Sequence, residues 1–213
     1  MLFTNFETLI TERRGALHVG AHDGGERDFY KSFTEVLWFE PRKEAFEALE
    51  RNLLFYPNQT AYNYGIFDET KTAIINVASN GESSSLLKLG THRIHHPNIT
   101  YVKKEAVELI RMDEFLQKNE IDISRFNFLN IDVQGVELSV IKSFGSLISQ
   151  IDYIYTEVNR EPLYEGCCLV DEIDKYLDEY GFVRTHTKWT KANWGDAFYM
   201  KRQAYERICD QLR

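Results

Sequence analysis

The chain has 213 residues, 43% of them hydrophobic and 27% charged, enough for one domain with a full core. Lys and Arg number 25 against 33 Asp and Glu, a net charge of −8 that argues against a broad basic nucleic-acid surface. No apolar run is long enough to span a bilayer, and the first residues lack the basic-then-apolar order of a signal peptide. Three cysteines, two of them adjacent at Cys167 and Cys168, make no disulfide framework, so a reduced, cytoplasmic setting is expected.

Thr4 and Glu7 fit a capping box, and Phe6, Leu9 and Ile10 share a face. A short helix within residues 1–15 is expected, with Gly15 as its stop. Ala16 to Val19 then reads as a buried strand running into the turn Gly20-Ala21-His22-Asp23-Gly24-Gly25, with a helix expected over Glu26–Phe33. Such a strand–turn–helix brings bare backbone close to a ligand. A second strand, Glu35–Phe39, ends in Glu40-Pro41. A carboxylate there, about 20 residues after the first loop glycine, is where nucleotide-binding α/β folds place their ribose acceptor. Pro41 suits the first turn of a helix holding Ala45, Phe46, Leu49 and Leu53, and Pro57 marks its exit.

Thr60–Ile66 and Thr72–Ala78 read as strands, with Asp68 between them. From Ser79 to Thr100 the pattern fails, and residues 79–100 are expected to form a lid or substrate loop. Its His92, His95 and His96 have zinc-like spacing, but Pro97 adjoins them and no partner ligand is evident. Tyr101–Ile110 returns as a strand, and Asp113 is the expected cap of a short helix with Phe115 and Leu116.

Phe126–Ile131 is an apolar strand ending in Asp132, with Gln134 next and Gly135 opening a turn into a helix over Val136–Phe144. Ile151–Val158 is another buried strand, with Glu157 near its end. Leu169–Tyr180 is amphipathic, and Phe182–Thr187 and Ala197–Lys201 close the chain as antiparallel neighbours joined through Trp189 and Trp194. Strands alternating with helices imply a mainly parallel sheet covered on both faces.

Asp132 sits where open α/β sheets bind ligands, and Glu157 would lie beside it. Two neighbouring carboxylates raise each other's proton affinity, which suits a general base. Together with Asn159 they also offer oxygen ligands for Mg²⁺, the lesser alternative, and no metal site is expected. His22, exposed by its turn, or a histidine of the 79–100 lid is a reserve base, whereas His18 reads as a core histidine. The loop lacks the second glycine of a dinucleotide turn, which weakens an oxidoreductase reading and suits a nucleoside ligand without phosphate.

With the glycine loop, Glu40-Pro41 and Ile131-Asp132-Val133-Gln134-Gly135-Val136-Glu137 in view, the sequence resembles the FkbM-type methyltransferases from about Leu17 to Met200. The resemblance implies a Rossmann-like class I methyltransferase fold. Its mainly parallel seven-stranded sheet would have an antiparallel last strand and helices on both faces. It also implies S-adenosylmethionine as cofactor and O-methylation of a sugar, glycan or natural-product hydroxyl. By analogy Gly20, Ala21, His22, Asp23 and Gly24 would touch the methionine part. Glu40 and Pro41 would hold the ribose, Asp68 would lie near the adenine, and Asp132 and Gln134 would face the sulfonium. Ser84, Ser85, Tyr164, Trp189 and Trp194 are the expected substrate contacts, and Glu157, Asp132 and His22 the expected catalytic groups. The rival readings are a non-catalytic cofactor-binding module and a nucleotide-dependent oxidoreductase.

Overall fold

A computed structural model describes residues 6–211. In chain order the elements are β1 (Gly15–Val19), β2 (Glu35–Phe39), α1 (Lys43–Leu53), β3 (Gln59–Tyr62), β4 (Gly65–Ile66), β5 (Lys71–Ala78) and α2 (His92–His95). They continue with β6 (Tyr101–Ile110), α3 (Met112–Lys118), β7 (Phe126–Ile131), α4 (Glu137–Lys142) and β8 (Tyr153–Asn159). The series ends with α5 (Val170–Asp178), β9 (Phe182–Trp189), β10 (Trp194–Lys201) and α6 (Arg202–Gln211).

Seven strands form one sheet in the order β3-β2-β1-β7-β8-β10-β9. From β3 to β8 the pairings are parallel, and β10 lies antiparallel between β8 and β9. Every residue of β1, β7 and β8 is buried, the signature of parallel strands covered on both faces. Alternation divides their side chains between two cores. Leu17, Leu37, Leu129 and Ile154 pack with Phe115, Val140 and Ile173 from α3, α4 and α5. Ala16, Val36, Trp38 and Phe128 face the other way, against Leu49 of α1 and Tyr30, with Tyr205 of α6 packed on that side. The class I methyltransferase arrangement expected from the sequence is therefore present.

Several local expectations are corrected. Glu26–Phe33 is not an α-helix. Successive i→i+3 bonds (Arg27 to Gly24, Phe29 to Glu26, Phe33 to Tyr30) wind it as turns ending in a 3₁₀ segment, Phe29–Ser32. This tight path drives Tyr30 into the core, where its hydroxyl meets His18 Nδ1 at 3.0 Å and Asn130 at 2.9 Å. Thr4 and Asn5 of the expected capping box lie outside the described residues, and Glu7–Leu9 forms a 3₁₀ turn. Gly15 opens β1 instead of stopping a helix, because Phe126 and the Arg125 carbonyl crowd it too closely for a side chain.

The expected strand Thr60–Ile66 is broken at Asn63-Tyr64, and β4 leaves the main sheet to pair with β6. β4, β6 and β5 form a second, three-stranded sheet. Asp113 does not cap α3. Arg111 occupies that position, and Asp113 binds its guanidinium at 2.5 and 3.0 Å from within the first turn. Among the described residues no helix is long and apolar enough to cross a membrane.

Candidate active site

The C-terminal ends of β1, β2, β7 and β8 reach one edge of the sheet, and main-chain bonds lock the loops beyond them. The amides of Gly20 and Ala21 donate to the Phe39 carbonyl, and the Asp132 amide donates to Val19. Gly20 has φ +85°, and a Cβ there would lie 1.8 Å from the Asp132 carbonyl oxygen. Only glycine lets the β1 and β7 loops approach this closely. A cavity of about 590 Å³ opens between these loops and the segment 79–100.

Glu40, buried at the end of β2, organises one side of it. One carboxylate oxygen accepts the His22 amide at 2.9 Å, and the other accepts the Arg42 amide at 2.9 Å. The Arg42 guanidinium lies 3.7 Å away and also donates to Ser84. Burial lifts the Glu40 pKa, and the Arg42 amide and charge and the His22 amide oppose that rise. Each oxygen keeps a lone pair for a further donor. His22 adopts φ +48°, which aims its amide at Glu40 and its ring at Gly81, where a Cβ would sit 3.1 Å from Nε2.

The opposite side is a chain of polar groups. Tyr164 donates to the Gln134 side-chain carbonyl at 2.5 Å. The Gln134 amide donates to Asp132 at 2.5 Å and to Glu157 at 3.3 Å. Burial raises the Asp132 pKa to about 6, with the Gln134 bond opposing. Glu157 rises well above the ordinary carboxylate range, first through burial and then through the Asp132 charge. Its Oε1 is buried and has no partner among the described residues. Behind them the fully buried Glu137 caps the Gly135 amide at 2.8 Å, and burial lifts its pKa to about 7.

Gly20, Ala21, His22, Asp23, Glu40, Pro41, Asp132, Gln134, Glu157, Ser84 and Trp194 all line the cavity. Gly24, Asp68, Ser85, Tyr164 and Trp189 do not. Gly24 turns beneath the loop against Leu49, at φ +76°. Asp68 turns away to accept from Ser139 at 3.1 Å, while its carbonyl receives Arg111. Ser85 and Tyr164 stand behind Gln134 and hold its backbone and side chain at 2.6 and 2.5 Å. Trp189 is stacked under Arg160, 3.8 Å from the ring centre.

His92 and His96, expected in the lid as reserve proton acceptors, line the cavity, and so do Arg42 and Asp196, to which the sequence reading gave no role. Asp196 pairs with Glu157 across β10 and β8. The signal for it was the hairpin, whose returning strand must sit beside the last residues of the preceding strand. Among the described residues no group of three or more His, Cys, Asp and Glu side chains could hold a metal ion.

No curated protein matches the sequence. Among solved structures, Streptococcus pneumoniae Sp1610 in complex with S-adenosyl-L-methionine, whose description names tRNA (m1A22) methylation, superposes with a TM-score of 0.52 at 8% identity, over 94% of this chain and 73% of that one. M. capricolum TrmK in complex with S-adenosyl-homocysteine gives 0.52 at 6% identity, over 95% and 69%. At such identities the likeness is one of fold. The sequence itself matches the model of the methyltransferase FkbM domain over residues 18–184. The chain belongs to the FkbM methyltransferase domain family.

Proposed function

We propose that the protein methylates a hydroxyl oxygen of a sugar, glycan or natural-product acceptor, using S-adenosylmethionine. One observation carries this reading. Glu40, at the end of β2, lines the cavity with both oxygens held by main-chain amides, while Glu157, one of whose oxygens is buried without a partner among the described residues, lines the same cavity. The first is a ribose acceptor and the second a proton acceptor, with the close-packed Gly20–Asp132 junction between them.

When bound, S-adenosylmethionine supplies an electrophilic methyl group on a sulfonium sulfur. Glu40 would accept hydrogen bonds from the ribose hydroxyls. Gly20, Ala21, His22 and Asp23 present backbone to the methionine part, and Pro41 walls the ribose. Asp132 and Gln134 face the reacting end. Transfer of that methyl to an acceptor oxygen would depend on alignment and exclusion of water, which the walls of this cavity would supply. Glu157 would take the hydroxyl proton, burial and the Asp132 charge raising its proton affinity. Asp132 supports that proton's transfer through the shared Gln134 amide, and His22 fixes Glu40.

The test has two stages. Calorimetric titration with S-adenosyl-homocysteine must show binding that Glu40→Ala abolishes. Transfer of labelled methyl to acceptors in an extract of the source organism must then occur with wild type and fail with Glu157→Gln. Saturable cofactor-product binding without transfer to any acceptor would favour a binding module instead.

A further inference from the structure

The chain must turn sharply between the end of β7 and the start of α4, and the conformations it adopts there are costly unaided. Gln134 stands at φ +58° and Gly135 at φ +108°. A side chain at Gly135 would meet Cys167, Leu87 and Tyr164, each at 3.1 Å. A left-handed glutamine persists only where surrounding bonds offset its strain. Val136, the N-cap of α4, offers no side-chain acceptor to the amides freed at this turn.

Glu137 supplies that acceptor. Its side chain folds back so that Oε1 accepts the Gly135 amide at 2.8 Å, and the amides of Val133 and of Glu137 itself also bond to the carboxyl group. From the other side, Ser85 donates to the Gln134 main-chain carbonyl at 2.6 Å, and Tyr164 donates to its side-chain carbonyl at 2.5 Å. The end of Gln134 that remains, its side-chain amide, reaches Asp132 and Glu157. Glu137 is fully buried and is not among the residues lining the cavity, so it acts on the site only through others.

A glutamine at this position would offer the same acceptor oxygen without a buried acid. The titratable groups around Glu137 are Asp132 after β7, Glu157 of β8, and Tyr164, Cys167 and Cys168 of the segment before α5, and none of these is a cation. Its Oε2 is buried without a partner among the described residues. A carboxyl group in such surroundings is costly, and a residue that only capped a turn would avoid that cost. Burial lifts its pKa to about 7 against the pull of the amides, and the Asp132 charge adds to the rise. The Glu137 charge in turn raises Glu157, after burial and Asp132.

We propose that Glu137 is a positioning residue for the proton acceptor: its carboxylate gathers the turn amides that set Gln134 between Asp132 and Glu157, and its negative charge acts on Glu157 through the same buried network. The proposal rests on the methyl-transfer reading for its purpose, and it adds the residue that ties the shape of this turn to the ionisation of Glu157.

Carboxyl-carbon NMR tests it on the full chain with labelled Asp and Glu side chains, and it needs no methyl acceptor. The Glu137 and Glu157 resonances are assigned through the backbone of the wild-type chain. In wild type the Gly135 amide proton should shift with pH at the same midpoint as the Glu137 carboxyl. Glu137→Gln keeps an acceptor oxygen and removes the charge, so the Glu157 midpoint should fall by about one pH unit. A residue that only capped the turn would leave that midpoint where it was. An unmoved Glu157 midpoint in a Glu137→Gln variant that melts like wild type would overturn the proposal. So would a Gly135 amide that ignores the Glu137 titration, a reading that needs only the wild-type chain. S-adenosyl-homocysteine binding is measured separately by calorimetry, and its absence in wild type would remove the cofactor reading without touching these midpoints.

Discussion

The Gln134 side-chain amide lies 2.5 Å from Asp132 and, from the same nitrogen, 3.3 Å from Glu157. One neutral donor thus holds apart two carboxylates that repel each other. Its backbone sits at φ +58°, and Tyr164 and Ser85 fix both its ends. Gln134→Ala removes a bond that lowers both pKa values, so both should rise. The acid limb of the kcat/KM profile should then move to higher pH by about one unit, the worth of a hydrogen bond to a charged group. An unmoved limb would place the controlling ionisation elsewhere.

Glu157 binds its proton more tightly in the folded chain than in the unfolded one. That preference stabilises the fold below the ordinary carboxylate range and is lost as pH rises through the elevated pKa. Glu157→Gln should therefore raise the melting temperature at pH 8 more than at pH 5, by about 1 kcal/mol at the upper pH, while abolishing methyl transfer. Calorimetric scans at the two pH values read the difference directly.

Glu40 is bonded to two amides, so its removal disturbs the loop as well as the ligand. Glu40→Gln keeps the size but replaces an acceptor oxygen by a donor. Affinity for S-adenosyl-homocysteine should fall by about a hundredfold, the loss of charge-assisted bonds to a diol. A fall below tenfold would argue against ribose at this position.

Gly20→Ala forces a methyl into the Asp132 carbonyl at a positive φ. The junction of β1 and β7 should open, destabilising the protein by about 3 kcal/mol or more in a chemical melt.

His95→Ala removes the bond to Glu161 but leaves the main-chain bonds of Gly90, Thr91 and His92 to Pro162 and Leu163. Amide exchange at residues 90–96 should quicken, with cofactor-product affinity unchanged.

Elements defined by local pattern were legible in the sequence. The strands β1, β2, β7 and β8 could be read from their apolar runs alone, and the residues at their ends, Gly20, Glu40, Asp132 and Glu157, converge because parallel strands finish on one edge. The features that escaped depend on distant partners. Tyr30 is drawn into a pocket made by His18 and Asn130, which replaces helix with 3₁₀ turns over a stretch whose pattern is helical. β4 is set by pairing with β6, more than forty residues later in the chain. Asp68 and Trp189 stand in the expected order but are claimed by Ser139 and Arg160. Nothing near His92 in sequence announces that Leu163 will anchor it.

The insertion of β10 between β8 and β9 bears on how this edge of the sheet holds together. β9 precedes in sequence the strand that joins it to the sheet, so it docks on this edge only through β10. Asp196 reaches its place opposite Glu157 only when that gap is filled. Loosening of β10 should thus undo the sheet edge and this wall of the cavity together.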